Sequence, residues 1–306
     1  IVPYHELEPA LAQRTIDAQD VSDGCFRFTI GLAKKALLAD ALAGLVTGIW
    51  GDLASLTVLS AWLGLIGYAL QLYFDFSGYS DMAIGLGRML GFRFPENFRY
   101  PYLCSSISDF WRRWHISLGS WFKEYLYFPL GGSRAGTLRT LRNLLLVWLA
   151  TGLWHGASWN YVLWGLYFGV LICLEKLLAP RFRAHPRKGL LAGLYRPVCL
   201  LLAVLGWVLF RAEDLPAAGR YFACLFGGAA GASAQARLYL HDFWPVLLLG
   251  AVGATPLCAE LAGRLGAKLQ PGVRAVVQAV LVLALLACST VWLLNGSFQS
   301  FVYFQF

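Results

Sequence analysis

Two histidines are the residues of this sequence best placed to do chemistry. His155 lies in Thr151-Gly152-Leu153-Trp154-His155-Gly156-Ala157-Ser158-Trp159-Asn160, with no formal charge for more than ten residues on either side. An ionisable residue inside an apolar run is a functional candidate by default. A plainer reading stays open, that of an aromatic-belt histidine at a helix end bonded to a backbone carbonyl. His115 lies in Trp111-Arg112-Arg113-Trp114-His115-Ile116-Ser117-Leu118. An amphipathic interfacial helix would carry such Trp, Arg and His residues in any case. His5, His185 and His241 stand in polar or loop-like contexts and read as structural. A histidine in an apolar pocket is kept neutral, because desolvation disfavours imidazolium, and so remains available as a base. It could take the proton of a hydroxyl that attacks a thioester, and a positioned general base contributes roughly 10²–10⁴-fold.

Other chemistries lack their residues. There is no Gly-x-Ser-x-Gly elbow and no His-Glu-x-x-His pair, so hydrolase and metalloenzyme readings are weak and no metal is expected. Gly85-Leu86-Gly87-Arg88 lacks the preceding strand that a dinucleotide site needs. The seven cysteines are scattered without a C-x-x-C pair, which fits neither a zinc site nor a disulfide framework. Most lie in apolar stretches, where cysteine acts as a small hydrophobe.

The elements that must position the histidines are set by lipid. Of the 306 residues, 58% are hydrophobic and 14% charged, against roughly 45–50% and about 25% in soluble chains. The apolar segments are spread along the whole sequence, so one membrane domain over 1–306 is expected. A span needs about 20 apolar residues. Leu53 to Phe74 is one such run. Asn143 to Leu174 is another, and as one helix it would be about 48 Å long. It is therefore either strongly tilted or broken near Gly156-Ala157-Ser158. Pro197 to Phe210 is a short run whose end residues Arg196 and Arg211 can snorkel. Phe243 to Ala259 and Ala275 to Leu294 complete the set. Gly24 to Trp50, interrupted by Lys34 and Lys35, could span or lie at the interface.

The net charge of +8 sits in short loops between spans, which speaks for membrane topology rather than nucleic acid. Arg134, Arg139 and Arg142, then Arg181, Arg183, Arg187 and Lys188, then Arg264, Lys268 and Arg274 form three basic clusters. If the long run crosses twice, all three face the cytoplasm and the uncharged tail from Asn295 to Phe306 lies outside. Ile1-Val2-Pro3-Tyr4 carries no signal-peptide pattern, and the expectation is of further helices upstream. Tyr73 to Gly132 is aromatic yet rich in charge. It reads as a non-spanning segment lining a cavity, with a helix starting at Ser108-Asp109-Phe110-Trp111 and lying at the interface or dipping inward.

Four stretches then carry a resemblance. They are Gln71-Leu72-Tyr73-Phe74-Asp75-Phe76-Ser77-Gly78-Tyr79-Ser80-Asp81-Met82-Ala83, Phe94-Pro95-Glu96-Asn97-Phe98, Ser108-Asp109-Phe110 running on through Trp111 to Leu118, and Gly152-Leu153-Trp154-His155-Gly156. The sequence resembles the membrane-bound O-acyltransferases, in particular the bacterial branch that serves alginate O-acetylation. The ending Tyr303-Phe304-Gln305-Phe306 is similar to the family's C-terminus. The resemblance implies an all-α polytopic protein, a ring of tilted helices with re-entrant and interfacial helices around a central channel. It implies His155 as catalytic histidine and His115 as a second histidine beside the channel. Asp109, Trp111, Arg112, Arg113, Trp154 and Asn160 would line or shape that channel. Asp75 and Asp81 could do likewise, with helix capping or membrane-depth pairing as the alternative. The implied donor is an acyl thioester such as acetyl-CoA, with no tightly bound cofactor. Periplasmic acetyltransferases are the implied partners, and the bacterial inner membrane the implied location. The family's complete proteins are longer at the N-terminus, so this stretch alone should be inactive.

Three rivals remain. A transporter would suit broken helices with midplane charges, though no internal repeat is present. Another acceptor within the same class, such as peptidoglycan, cellulose or the teichoic-acid D-alanylation pathway, is equally compatible with the residues. A non-catalytic scaffold would keep acetylation intact when His155 is replaced.

Overall fold

Backbone groups in hydrocarbon must be satisfied within the chain, and helices do this locally. The computed structural model describes residues 3–134, 136–184, 190–295 and 301, and every regular element among them is helical. In chain order these are α1 (Tyr4–Ala12), α2 (Ala18–Ala33), α3 (Asp40–Trp50), α4 (Val58–Met89), α5 (Ile107–Trp111), α6 (Ile116–Phe122) and α7 (Thr137–His155). They continue as α8 (Trp159–Ala184), α9 (Leu190–Arg211), α10 (Leu215–Leu225), α11 (Ala234–Gly253), α12 (Leu257–Gly266) and α13 (Pro271–Asn295). Four described helices, α4, α8, α9 and α13, have stretches long and apolar enough to cross a membrane, or five if α11 and α12 count as one broken span.

The structure corrects some of the expected runs and narrows others. The run Leu53 to Phe74 does not end at Phe74: α4 has 32 residues and takes in the start of the segment Tyr73 to Gly132. Its carboxylates Asp75 and Asp81 are tolerated because cations from the preceding helical run neutralise them, and its Arg88 pairs with Asp20 and Asp23 of α2. The stretch Asn143 to Leu174 is broken at Gly156-Ala157-Ser158, the second of its two readings. Phe243 to Ala259 is not one helix, because α11 and α12 meet at a bend of 68°. Pro256 explains the break, since the residue before a proline is driven out of the helical region. Gly24 to Trp50 is continuous helix, with a π-helical stretch at Lys34–Ala39 joining α2 to α3. His185, Arg187, Lys188 and the ending Tyr303 to Phe306 lie outside the described residues, as do the side chains of Arg181 and Arg183.

The chain divides into two compact units. One comprises Gly51–Leu65 and Phe98–Ala236, the other Val2–Trp50, Ile66–Asn97 and Arg237–Phe306. The second unit is built on close helix crossing and charge pairing. Gly24 and Gly31 of α2 meet Gly85 and Gly78 of α4 so closely that a Cβ on Gly85 would lie 2.6 Å from the Gly24 carbonyl oxygen. The Gly85-Leu86-Gly87 patch is thus helix packing. Small residues let backbones approach where lipid supplies no hydrophobic drive. Asp75 and Asp81 resolve to pairing at the same seam. Lys35 Nζ lies 2.7 Å from Asp75 Oδ1 and 2.7 Å from Asp40 Oδ1. Asp81 binds Arg27 at 2.6 Å and Lys34 at 2.6 Å, and Glu96 joins Arg27 at 2.6 Å.

Candidate functional site

In the first unit, α7 and α8 pack backbone to backbone. A Cβ on Gly152 would strike the Tyr161 carbonyl oxygen, and one on Gly165 the Trp148 carbonyl oxygen. The hairpin closes tightly at Gly156, where a Cβ would sit 2.7 Å from Tyr161 Cε2. This geometry leaves His155 as the last residue of α7, its ring directed into an aromatic box. Trp164 and Phe210 stand at 5.1 Å each and nearly perpendicular to it, with Trp154 at 4.9 Å and Tyr161 at 6.4 Å. Neither ring nitrogen of His155 has a hydrogen-bond partner among the described residues. Among the described residues it is aromatic packing that orients this imidazole.

His115 is not inside an amphipathic helix. Its backbone is left-handed (φ 46°, ψ 53°), and it is the residue from which α6 starts. Only Tyr100 shares that conformation among described non-glycine residues. Such backbone costs of order 1–3 kcal/mol and persists where surroundings over-determine it, often at functional sites. The surroundings here are visible, since Arg99 N–H donates to the Arg113 carbonyl at 2.9 Å and pins the two loops together. The buried His115 ring lies 6.4 Å from Trp154, so one indole touches both histidines. Burial first, and then the charge of nearby His155, hold the His115 imidazole well below its ordinary pKa.

The expected helix start is also displaced. Ser106, not Ser108, caps α5, accepting the Asp109 N–H at 2.9 Å, and α5 is five residues long. Its N-terminus is held from α8. Glu175 accepts the Ile107 N–H at 2.6 Å, the Ser108 N–H at 2.9 Å, the Ser108 hydroxyl at 2.6 Å and the Tyr195 hydroxyl at 2.6 Å. Asp109 accepts the Ser105 N–H at 2.9 Å and lies 3.1 Å from Arg113 Nε and 3.7 Å from Arg112. Burial pushes the Asp109 carboxyl up, but the Ser105 N–H and the Arg113 guanidinium outweigh it and leave the group below its ordinary value.

The site residues expected from sequence therefore fall into three groups. His155, Trp154 and His115 come together. Trp111 adjoins them through Trp164, at 5.5 Å from it, and stacks edge-to-face on Trp148 and Phe168 at 4.7 and 4.8 Å. Asp109, Arg112 and Arg113 form a separate cluster, with Arg112 largely exposed. Asn160 is buried and donates to the Ala212 carbonyl at 2.6 Å, which ties the start of α8 to the end of α9, where Phe210 faces His155. Sequence reading missed Trp164, Phe210, Tyr161 and Glu175. Trp164 follows His155 by nine residues in the same run and Glu175 follows it by 20, directly after the run's end at Leu174, but no spacing rule announces a contact across a break whose angle is unknown. Among the described residues no group of His, Cys, Asp and Glu suited to a metal ion occurs.

The family model for membrane-bound O-acyltransferases matches residues 45–206, over half of the chain. The chain belongs to the membrane-bound O-acyltransferase family. It is 47% identical over 230 residues to the probable alginate O-acetylase AlgI of Pseudomonas fluorescens, covering 74% of this chain and 45% of that protein. It is 40% identical over 223 residues to the peptidoglycan O-acetyltransferase of Helicobacter pylori, covering 71% and 42%. To the teichoic acid D-alanyltransferase of Bacillus subtilis it is 35% identical over 122 residues, covering 38% and 31%. The chain thus spans less than half the length of these relatives. The matched region contains both histidines, α5 and the α7–α8 hairpin.

Proposed function

We infer that the protein of which this chain is part is a membrane O-acyltransferase that moves an acetyl group from a cytoplasmic thioester, such as acetyl-CoA, towards a hydroxyl of a cell-surface polysaccharide of the alginate kind. The observation that carries this reading is the His155 imidazole, held by Trp164 and Phe210, with no hydrogen-bond partner for either nitrogen among the described residues. A general base must be neutral and must have a nitrogen to offer. His155 takes the proton of the attacking hydroxyl, the hydroxyl oxygen bonds to the acyl carbon, and the thiolate leaves and takes up a proton. His115, held neutral beside it, assists or orients through Trp154. Trp111 forms the wall behind Trp164, and Asn160 holds the α9 end against the box. Asp109 on α5 with Arg112 and Arg113 directly after it place a net cationic edge at the end of that helix that suits an anionic donor.

Several further parts of this reading rest on likeness to the alginate O-acetylases: the polysaccharide acceptor, a bacterial inner-membrane location and a periplasmic acetyltransferase partner. The peptidoglycan relative supports another envelope polymer as acceptor, and the site itself is compatible with either. The decisive experiment is polysaccharide acetylation in cells carrying the full-length protein with His155→Ala or His115→Ala, with membrane levels checked by blot. Loss of acetyl ester with normal protein level is expected for His155→Ala, and a fall of at least about tenfold for His115→Ala. Near wild-type acetylation in His155→Ala would remove the general-base reading and favour a scaffold or transporter.

A further inference from the structure

Helix α12 is short, and among the described residues little packs over it. None of its ten residues is buried, and an isolated helix of this length is marginal in water. Its sequence is nevertheless ordered by face. Leu257, Leu261, Leu265 and, just beyond, Leu269 recur every fourth residue and are 38–62% exposed. Glu260, Arg264 and Lys268 recur at the same interval on the neighbouring face, and Glu260 lies 3.7 Å from Arg264. Arg274 folds back towards the end of the helix, its Nε 3.7 Å from where a Cβ on Gly266 would stand. Three cations thus gather around the C-terminal end of α12, where the helix dipole adds negative potential that favours them, with one carboxylate among them. The far side, at Ala259, Gly263 and Ala267, is small. The 68° bend from α11 turns α12 away from the direction of that helix, and α13, apolar enough to span, begins five residues after it.

We propose that α12 lies in the plane of the membrane surface, its leucine stripe in the acyl boundary and Arg264, Lys268 and Arg274 on the headgroups of anionic phospholipid. Leucines on one face with cations at its edge are the pattern of interfacial helices, and the basic side chains reach up along their stems to the phosphates. Charge complementarity selects the anionic surface over a zwitterionic one. The placement does not depend on the acyl-transfer reading.

The test uses the full-length protein in nanodiscs, in a background whose other cysteines are replaced. Nitroxide labels go on Cys258, at the edge of the leucine face, and on Gly263→Cys, on the small face with open space around it. Expected is a label at 258 that collides more with oxygen than with a water-soluble nickel chelate, and the reverse at 263. In parallel, retention of phosphatidylglycerol against phosphatidylcholine is measured for the wild type and for Arg264→Gln/Lys268→Gln/Arg274→Gln. Each cation removed should weaken phosphatidylglycerol retention about fivefold, with phosphatidylcholine unchanged. The proposal fails if both labels prefer the chelate, if both prefer oxygen, or if the wild type retains the two lipids alike. Should the triple variant misfold, the labels and the wild-type lipid comparison still decide.

Discussion

Glu175 on α8 grips Ser108 on α5 twice, accepting its backbone N–H at 2.9 Å and its hydroxyl at 2.6 Å. With Ile107 N–H and the Tyr195 hydroxyl on the same carboxylate, one side chain terminates a helix too short to hold itself. Hydrogen bonds to a charged group contribute about 1.5–3 kcal/mol each. Glu175→Ala should therefore lower the melting temperature in detergent and expose the 105–115 segment to limited proteolysis. Glu175→Gln, which keeps one acceptor, should fall between it and the wild type, and Tyr195→Phe should be mildest. Equal melting temperatures and cleavage rates across the series would show that α5 is positioned by other contacts.

His115 offers a pH signature. Its folded pKa lies below its ordinary value of 6.5, chiefly through burial. As pH falls through 6.5, the unfolded chain takes up a proton that the folded chain refuses, so stability is lost on acidification. Above that range both states are neutral at this group and it contributes no pH dependence. Thermal unfolding between pH 7.5 and 5.5 should show a declining melting temperature, and His115→Gln should flatten the decline. An unchanged slope in the variant would assign the acid sensitivity to other groups.

The sequence made the membrane class and the helical content legible, because both follow from length and composition read locally, while for the run Asn143 to Leu174 it left tilt and a break at Gly156-Ala157-Ser158 as alternatives that the structure resolves to the break. His155 was visible for the same local reason, since it stands alone in an apolar run, whereas His115, beside Arg112 and Arg113, stood out only through the resemblance. What stayed hidden is geometry that no local pattern encodes. Trp164 and Phe210 meet His155 only because Gly152 and Gly165 let α7 and α8 touch. His115 reads as a residue of an amphipathic helix until the left-handed turn is seen. Asp75 and Asp81 were open between channel lining and capping or pairing, and α4 runs straight through them, since Lys35, Lys34 and Arg27 arrive from the preceding helical run to neutralise them.

The glycine seam between α2 and α4 separates packing from propensity. Gly85→Ala places a Cβ 2.6 Å from the Gly24 carbonyl oxygen and 2.7 Å from the Phe28 nitrogen. Backbone on both sides cannot yield as a side chain would, and overpacking costs typically about 1–3 kcal/mol. Gly263→Ala meets open space and should stabilise its helix by up to about 1 kcal/mol. Thermal unfolding of the two variants should therefore move in opposite directions. A neutral Gly85→Ala would mean that the helices cross less closely than described.

Lys35 stands between two carboxylates, with side-chain exposures of 6% for itself, 1% for Asp75 and 11% for Asp40. Removing one partner of a buried pair leaves an uncompensated charge and typically costs about 3–5 kcal/mol, whereas replacing the pair by apolar residues is often nearly neutral. Lys35→Met alone should thus reduce the level of folded protein in the membrane severely, and Lys35→Met with Asp75→Leu should recover part of it. Asp40 keeps the recovery incomplete, because it too loses its cation and sits near the same seam. The measurement is folded yield by size-exclusion fluorescence of a fusion. If the double variant is no better than Lys35→Met, the lysine matters for more than neutralising Asp75, and its stem packing within the π-helical stretch becomes the term to remove next, by comparing Lys35→Met with Lys35→Ala.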